Sequence, residues 1–308
     1  MRPLALSLIV LPAALLAGCG TDTIQGPNDI AASRAHGDAS LGGATWSYTS
    51  FDVPGALLTV AQGINARGDI VGYYNDAAFV RHGFVLRDGT FSTIDYPGAA
   101  GTDARGIGPA GDVVGGYWLP GEPPVNIHGY KLTKHHEFER VDYPGHVNNI
   151  PQRLLPNGTI LGCRHDQDTM GSMHGVVIAR KGNSELAQSA SMNNGGTPDG
   201  GRITGLYTSA AGRTEGYIVE DGEFTPFVVP GSNFTAAWDM NPAGEIAGAY
   251  RDASLLFHGF VRRGDAYATL DFPGASATRA FGINARGDVV GGYAMAGKTH
   301  AFLATRDR

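Results

Sequence analysis

The chain has 308 residues, 42% of them hydrophobic, with 46 glycines, 17% charged residues and a net charge of −6. That length allows a large core, and the abundant glycine with sparse charge points to a turn-rich, all-β fold. A mildly acidic balance without basic runs argues against a nucleic-acid partner, which needs cations to neutralise phosphates.

At the N-terminus Arg2 precedes an apolar run from Leu4 to Leu16, too short to span a bilayer comfortably, so residues 1–18 read as a signal peptide. Its end, Leu16-Ala17-Gly18-Cys19, resembles the bacterial lipobox, in which small residues admit the peptidase and the cysteine thiol becomes a diacylglyceryl thioether. The resemblance makes Cys19 the mature N-terminus and the site of lipidation, with roughly 0.8 kcal/mol of membrane affinity per buried CH₂. An ordinary cleaved signal with an incidental cysteine is the alternative. Gly20 follows the cysteine where retention at an inner membrane usually calls for Asp, which favours a secreted, lipid-anchored protein at the outer membrane, cell surface or periplasm. Residues 19–45 are then the lipidated cysteine and a flexible tether rich in Gly, Ala, Ser and Asp. Only Cys163 remains, so no intramolecular disulfide is available. It falls where other repeats carry Tyr73, Gly116 or Gly292, and it reads as buried packing.

From residue 46 onward the chain repeats itself. The segment from Gly63 to Gly72, GINARGDIVG, returns as GINARGDVVG from Gly282 to Gly291. Intermediate copies end at Gly115, Gly162, Gly205 and Gly248, giving spacings of 43, 47, 43, 43 and 43 residues. A second marker, Asp-x-Pro-Gly, begins at Asp52, Asp95, Asp142 and Asp271 and degenerates to Val228-Val229-Pro230-Gly231. Alternating β-branched and small residues, punctuated by Asn-x-x-Gly and Asp-Gly turns, predict four strands per unit. In the first unit these fall near 60–65, 69–74, 82–87 and 90–95. Four strands in ~40–50 residues are the period of a propeller blade. The expectation is an all-β, six-bladed β-propeller over residues 46–308. The last unit ends after its third strand, at His300-Ala301-Phe302-Leu303, and Trp46–Asp52 has the pattern of the missing fourth strand. The two ends should therefore share the sixth blade.

The units resemble the bacterial extracellular HAF-type repeat family, through His300-Ala301-Phe302 and its relatives His82-Gly83-Phe84, His128-Gly129-Tyr130, His174-Gly175-Val176 and His258-Gly259-Phe260. The fourth unit departs, with Glu215-Gly216-Tyr217. This resemblance implies a repeat architecture and brings no activity with it.

His82 and Asp95 flank a hairpin and should face each other across antiparallel strands, as should His128 with Asp142, His258 with Asp271 and, through ring closure, His300 with Asp52. A couple repeated around a ring reads as structural hydrogen bonding rather than as active sites. The Asp is also placed to cap its Pro-Gly turn.

Binding groups are expected on the face with the variable loops, which join second to third and fourth to first strands. Trp118, beside prolines, offers a stacking surface for a sugar or peptide, or simply packs under its own loop. Arg164, His165, Asp166 and Asp168, with His174 nearby, form a polar group whose spacing matches no compact calcium loop, and no metal is expected. Asp103, Arg105, Gln152, Arg153 and Arg279 fall near the mouth of the central channel, as a polar ring for an anionic ligand or as salt bridges between blades. No nucleophile elbow, phosphate-cradling loop or zinc-type cysteine spacing appears, and no cofactor is implied. Two functions stay open: a monomeric, non-enzymatic binding scaffold for a glycan, peptide or protein, or a hydrolase or lyase acting on an extracellular polysaccharide or peptide at the same face.

Overall fold

The computed structural model describes residues 32–35, 45–123, 125–146, 148–165 and 172–306. The signal peptide, Cys19, most of the tether, Asp166 and Asp168 lie outside the described residues. Two strands, β1 (Ala32–Ala35) and β2 (Trp46–Phe51), precede the first unit, which is β3 (Leu58–Ile64), β4 (Ile70–Asn75), β5 (Arg81–Arg87) and β6 (Thr90–Ile94). The second unit is β7 (Gly101–Ile107), β8 (Val113–Trp118), β9 (His128–Leu132) and β10 (Phe138–Val141). The third is β11 (Asn148–Leu154), β12 (Ile160–His165), β13 (His174–Ile178) and β14 (Ser184–Ser189). The fourth is β15 (Ser191–Gly196), β16 (Arg202–Thr208), β17 (Thr214–Glu220) and β18 (Glu223–Phe227). The fifth is β19 (Phe234–Met240), β20 (Ile246–Arg251), β21 (Phe257–Arg263) and β22 (Ala266–Leu270), and the last is β23 (Ala277–Ile283), β24 (Val289–Met295) and β25 (Lys298–Arg306).

Each unit is one antiparallel sheet in chain order, and its first strand meets the first strands of its neighbours, so six blades stand around one axis. β2 supplies the fourth strand of blade six, pairing with β25 from Trp46 opposite Arg306 to Phe51 opposite Ala301. β1 adds a fifth strand outside β2, within the stretch read as tether. Between blades five and six, Trp46 and Tyr48 are buried with Leu270, Phe272, Val289 and Phe302.

The glycine that ends every repeat has a steric cause. Each first strand carries a bulge, at Gln62 in blade one and at the matching residue elsewhere. Beside it, the carbonyl oxygens of Val60, Asp103, Ile150, Met192, Ala236 and Arg279 press on Gly72, Gly115, Gly162, Gly205, Gly248 and Gly291 of the second strands, where a Cβ would overlap them. In four blades the ring of Phe84, Tyr217, Phe260 or Phe302 covers the same glycine from the third strand. Gly248→Ala is therefore expected to cost about 2–3 kcal/mol, the upper part of the range for overpacking. Thermal unfolding checks this, and a melt like the parent's would contradict the close approach.

The Asn-x-x-Gly turns do more than reverse the chain. Asn65 Oδ1 accepts the N–H groups of Arg67 and Asp69, while its Nδ2 donates to Asp69 and reaches Gly108 O of blade two at 3.5 Å. Asn284 Nδ2 donates likewise to Asn65 O at 3.3 Å, and Asn241 Nδ2 to Asn284 O at 3.2 Å. The side chain that shapes each turn thus ties its blade to the next. At the opposite end, the Pro-Gly turns are not capped by their Asp residues. Buried threonines on the first strands do it: Thr59, Thr102, Thr235 and Thr278 accept the N–H of Val53, Tyr96, Val229 and Phe272 at 2.9–3.1 Å. A hydroxyl six residues downstream lies directly under the turn, whereas the Asp points across to the third strand.

Candidate functional site

The face with the second-to-third and fourth-to-first strand loops is called upper below. Around its rim, the Nδ1 atoms of His82, His258 and His300 lie 2.8, 2.9 and 2.7 Å from Asp95, Asp271 and Asp52. Each imidazole stacks on the tyrosine opposite it, Tyr74, Tyr250 or Tyr293, with ring centroids 5.1, 5.0 and 5.2 Å apart. The Nε2 atoms of His82 and His258 face a second carboxylate, Asp76 at 3.5 Å and Asp252 at 3.4 Å.

His128 corrects the sequence expectation. It does not pair with Asp142: its Nε2 lies 2.7 Å from Glu122, its Nδ1 is buried without a hydrogen-bond partner, and Asp142 accepts from Arg140 at 3.2 Å. The longer β8–β9 loop supplies Glu122 on one side, and Arg140 engages Asp142 on the other. His174 places Nδ1 3.0 Å from the carbonyl of Leu186, since Gln188 stands where the Asp would be. The carboxylates Asp76, Glu122 and Asp252 all precede their histidine by six residues, a signal that the sequence reading missed.

On the axis, the five residues proposed as a polar ring separate into two groups. Arg153 lies deep, where four of the other blades carry Gly63, Gly106, Gly195 or Gly282 and blade five carries Asp239. Its Nη1 donates to the carbonyls of Arg105 and Gln152 at 2.8 and 2.7 Å, and its Nη2 to those of Gln62, at 2.9 Å, and Phe281. Its Nε is 3.0 Å from Asp239 Oδ1, and Asp239 Oδ2 accepts the N–H of Ile283. One guanidinium thus joins blades one, two, three, five and six. Burial pushes the Asp239 carboxyl up, and Arg153 opposes that shift. Gln152 is also buried and donates to Met192 Sδ at 2.9 Å. Below this plug the lower mouth is a cavity of about 140 Å³ rimmed by the 1–2 turns, Ile64, Leu154, Met240 and Ile283 among its walls.

Above the plug, Arg105 forms a bidentate pair with Asp103 at 3.0 and 2.7 Å, and Asp103 also accepts the N–H of Gly116. Burial works against the Arg105 charge, and Asp103 more than offsets it, holding the guanidinium above its ordinary pKa. Arg279 differs. It is exposed, its guanidinium carbon lies 3.8 Å from the Phe257 ring centroid, and among the described residues no carboxylate or hydrogen-bond acceptor engages it. Partial burial lowers its pKa. Arg81 also lies on aromatic rings, 4.2 Å over that of Tyr73 and 5.6 Å from that of Trp118, with no acidic partner among the described residues. Tyr73 stands in the electrostatic reach of both Arg105 and Arg279 and lines, with Leu58, Val60, Arg279 and Phe281, a cleft of about 270 Å³ between blades six and one. Cations resting on aromatic faces are stabilised there while leaving their N–H donors for a ligand.

Trp118 therefore belongs to this mouth, through Arg81. Arg164 does not: it is bound to Glu185 at 2.9 and 3.1 Å and to Ser172 O at 3.1 Å, out on blade three beside His165. Cys163 is fully buried among Ile150, Met173, Leu206 and Ala236, and burial pushes its thiol up to about 12. Sequence reasoning missed Arg81, Tyr73 and Phe257. Tyr73 carried the available signal, as the one aromatic at a position held elsewhere by Gly116, Cys163, Leu206, Ala249 and Gly292.

Six four-stranded blades with a plugged channel and a cationic, aromatic upper mouth define a β-propeller. The sequence matches no protein-family model and no curated protein. In structure the chain is similar to a gluconolactonase from Xanthomonas campestris, with 13% identity and a TM-score of 0.53 over 89% of this chain and 98% of that one. It is similar also to TolB from Acinetobacter baumannii, with 14% identity and a TM-score of 0.53 over 80% and 65% of the two chains. A lectin from Aleuria aurantia, solved with a fucosylated GlcNAc, gives 9% identity and a TM-score of 0.50 over 83% and 96%. These likenesses are likenesses of fold.

Proposed function

We propose that this propeller is a non-enzymatic binding protein of the cell envelope, anchored through lipid on Cys19. It takes an anionic group of its ligand at the upper mouth, between Arg81 and Arg279. The observation that carries this reading is the pair of guanidiniums resting on Tyr73 and Phe257 without acidic partners among the described residues, beside an open cleft. Like charges gathered at one mouth cost stability, and a ligand carboxylate, sulfate or phosphate recovers it through charge-assisted hydrogen bonds. Propellers of similar fold include both a sugar-binding lectin and a lactone-cleaving enzyme, so the ligand assay includes product analysis.

Screening the unlipidated domain against anionic polysaccharide and peptide arrays tests the reading. Arg81→Gln with Arg279→Gln is expected to weaken the best ligand at least tenfold, since a hydrogen bond to a charged group contributes about 1.5–3 kcal/mol, with a melting temperature unchanged or raised. Turnover that disappears in a His165→Ala, Asp166→Ala protein of intact fold would instead favour the hydrolase or lyase.

A further inference from the structure

Two upper-face loops are copies of one another and expose what a soluble rim has no reason to expose. In blade one, Asp76–Val80 joins β4 to β5; in blade five, Asp252–Leu256 joins β20 to β21. Phe79 is 77% exposed and Leu255 61%, with Val80 and Leu256 beside them also open to solvent. Both tip residues have positive φ, 63° and 67°, a conformation that bulky side chains rarely adopt and that marks functional positions when it is held in place. It is held here. Asp76 Oδ1 accepts the N–H groups of Ala78 and Val80 at 2.9 Å, Asp252 Oδ1 accepts that of Leu256 at 2.9 Å, and both carboxylates face the rim histidines.

The two arginines without acidic partners among the described residues sit at the roots of these loops. Arg81 follows Val80 directly, and Arg279 lies on the ring of Phe257, which follows Leu256. Each loop therefore offers an apolar tip with a guanidinium at its root, so that a tip inserted past the headgroups of a phospholipid surface brings the cation level with the phosphates.

The first described strand, β1, lies on the blade between them. β2 runs upward in blade six, and β1 is antiparallel to it, with Ala32 opposite Thr49 and Ala35 opposite Trp46. Ala32 therefore stands toward the upper side of the blade that separates blades five and one. Twelve residues lie between Cys19 and Ala32, a span of at most about 45 Å when extended.

We infer that the upper face docks on an anionic phospholipid surface, with Phe79, Val80, Leu255 and Leu256 seated among the acyl chains and Arg81 and Arg279 holding headgroup phosphates. This rests on the anion-site reading above and names its ligand. Apolar burial supplies the attachment, and the arginines supply the preference for negative lipids, which weakens with salt.

The test uses the mature chain with Cys19→Ser, so that no acyl chain contributes, floated with phosphatidylethanolamine–phosphatidylglycerol vesicles or with phosphatidylcholine alone. The parent is expected to float with the first and much less with the second. Phe79→Asn with Leu255→Asn, polar residues that tolerate positive φ, should lower partitioning at least tenfold while leaving the melting temperature unchanged or raised. Arg81→Gln with Arg279→Gln should erase the preference between the two lipids. Failure of the parent to float, or flotation of the Asn variant at the parent's level, overturns the docking. If a soluble anionic ligand still binds the parent in that case, the anion site stands and only its lipid identity falls. Metabolic acyl labelling of the full chain reads lipidation at Cys19 separately.

Discussion

Removal of residues 44–52 is expected to lower the melting temperature by more than about 12 °C. The deleted strand carries Trp46 and Tyr48, each 1% exposed, and Tyr48 packs its ring against Phe272 and Phe302 at centroid distances of 5.6 and 6.0 Å. Loss of a buried large aromatic side chain costs about 3–5 kcal/mol. Two such losses exceed about 6 kcal/mol, and a chain of this size loses about 2 °C or more per kcal/mol. The deletion also removes Asp52 from His300 and Lys298, and Ser50 from Tyr293. β25 would become a bare edge with unpaired backbone groups, so concentration-dependent association should accompany the drop. Calorimetry with light scattering checks both, and an unchanged melt would mean that the chain ends do not hold the ring together.

Substitution of Arg153 by methionine should cost about 3–5 kcal/mol, the range for breaking a buried ion pair by removing one partner. The side chain's volume is nearly kept, so the loss is electrostatic: Asp239 is left without its cation and the carbonyls of Gln62, Arg105, Gln152 and Phe281 lose a shared donor. The double variant Arg153→Met, Asp239→Leu should recover part of that loss, because replacing both partners by apolar groups removes the orphaned charge. A double variant destabilised by the sum of the Arg153→Met and Asp239→Leu single variants would show that the pair is not coupled. Both are read from urea midpoints, with the slope m held to the parent value as a check that the denatured state is unchanged.

The repeat register made the ring legible before any coordinates. Glycines at fixed spacing marked where a second strand must pass under a first-strand carbonyl, and Asn-x-x-Gly marked turns whose amide also reaches the next blade. The closing strand was legible too, because Trp46–Phe51 filled the only gap in an otherwise complete series. His–Asp couples followed from hairpin register in three blades. They did not follow in blade two, where a loop of different length brought Glu122 to His128, and loop conformation has no period to read.

The mouth was less legible, for a related reason. Sequence placed Asp103, Arg105, Gln152, Arg153 and Arg279 near the mouth of the central channel, as a polar ring or as salt bridges between blades, and the structure divides them among the plug, the Asp103–Arg105 pair and the Phe257 ring. Whether an inward charge is spent or open depends on what stands across the axis, and those partners come from blades far apart in the chain: Arg153 meets carbonyls of residues 62 and 281. Arg153 follows the bulge of its strand, three positions further along than the place Arg279 holds in blade six, and so enters the plug, while Arg279 stays at the rim on Phe257.

The sequence by itself determined the class, the number of blades and the way the ring closes, because these depend on local alternation and on periodic small residues, which are properties of neighbouring residues. Only the tertiary structure decided which arginines lack an acidic partner among the described residues, that Tyr73 and Arg81 belong with Arg279, and that two distant loops present matching apolar tips. Those are relations across the axis between residues some 180 positions apart, set by side-chain contacts that no single repeat encodes.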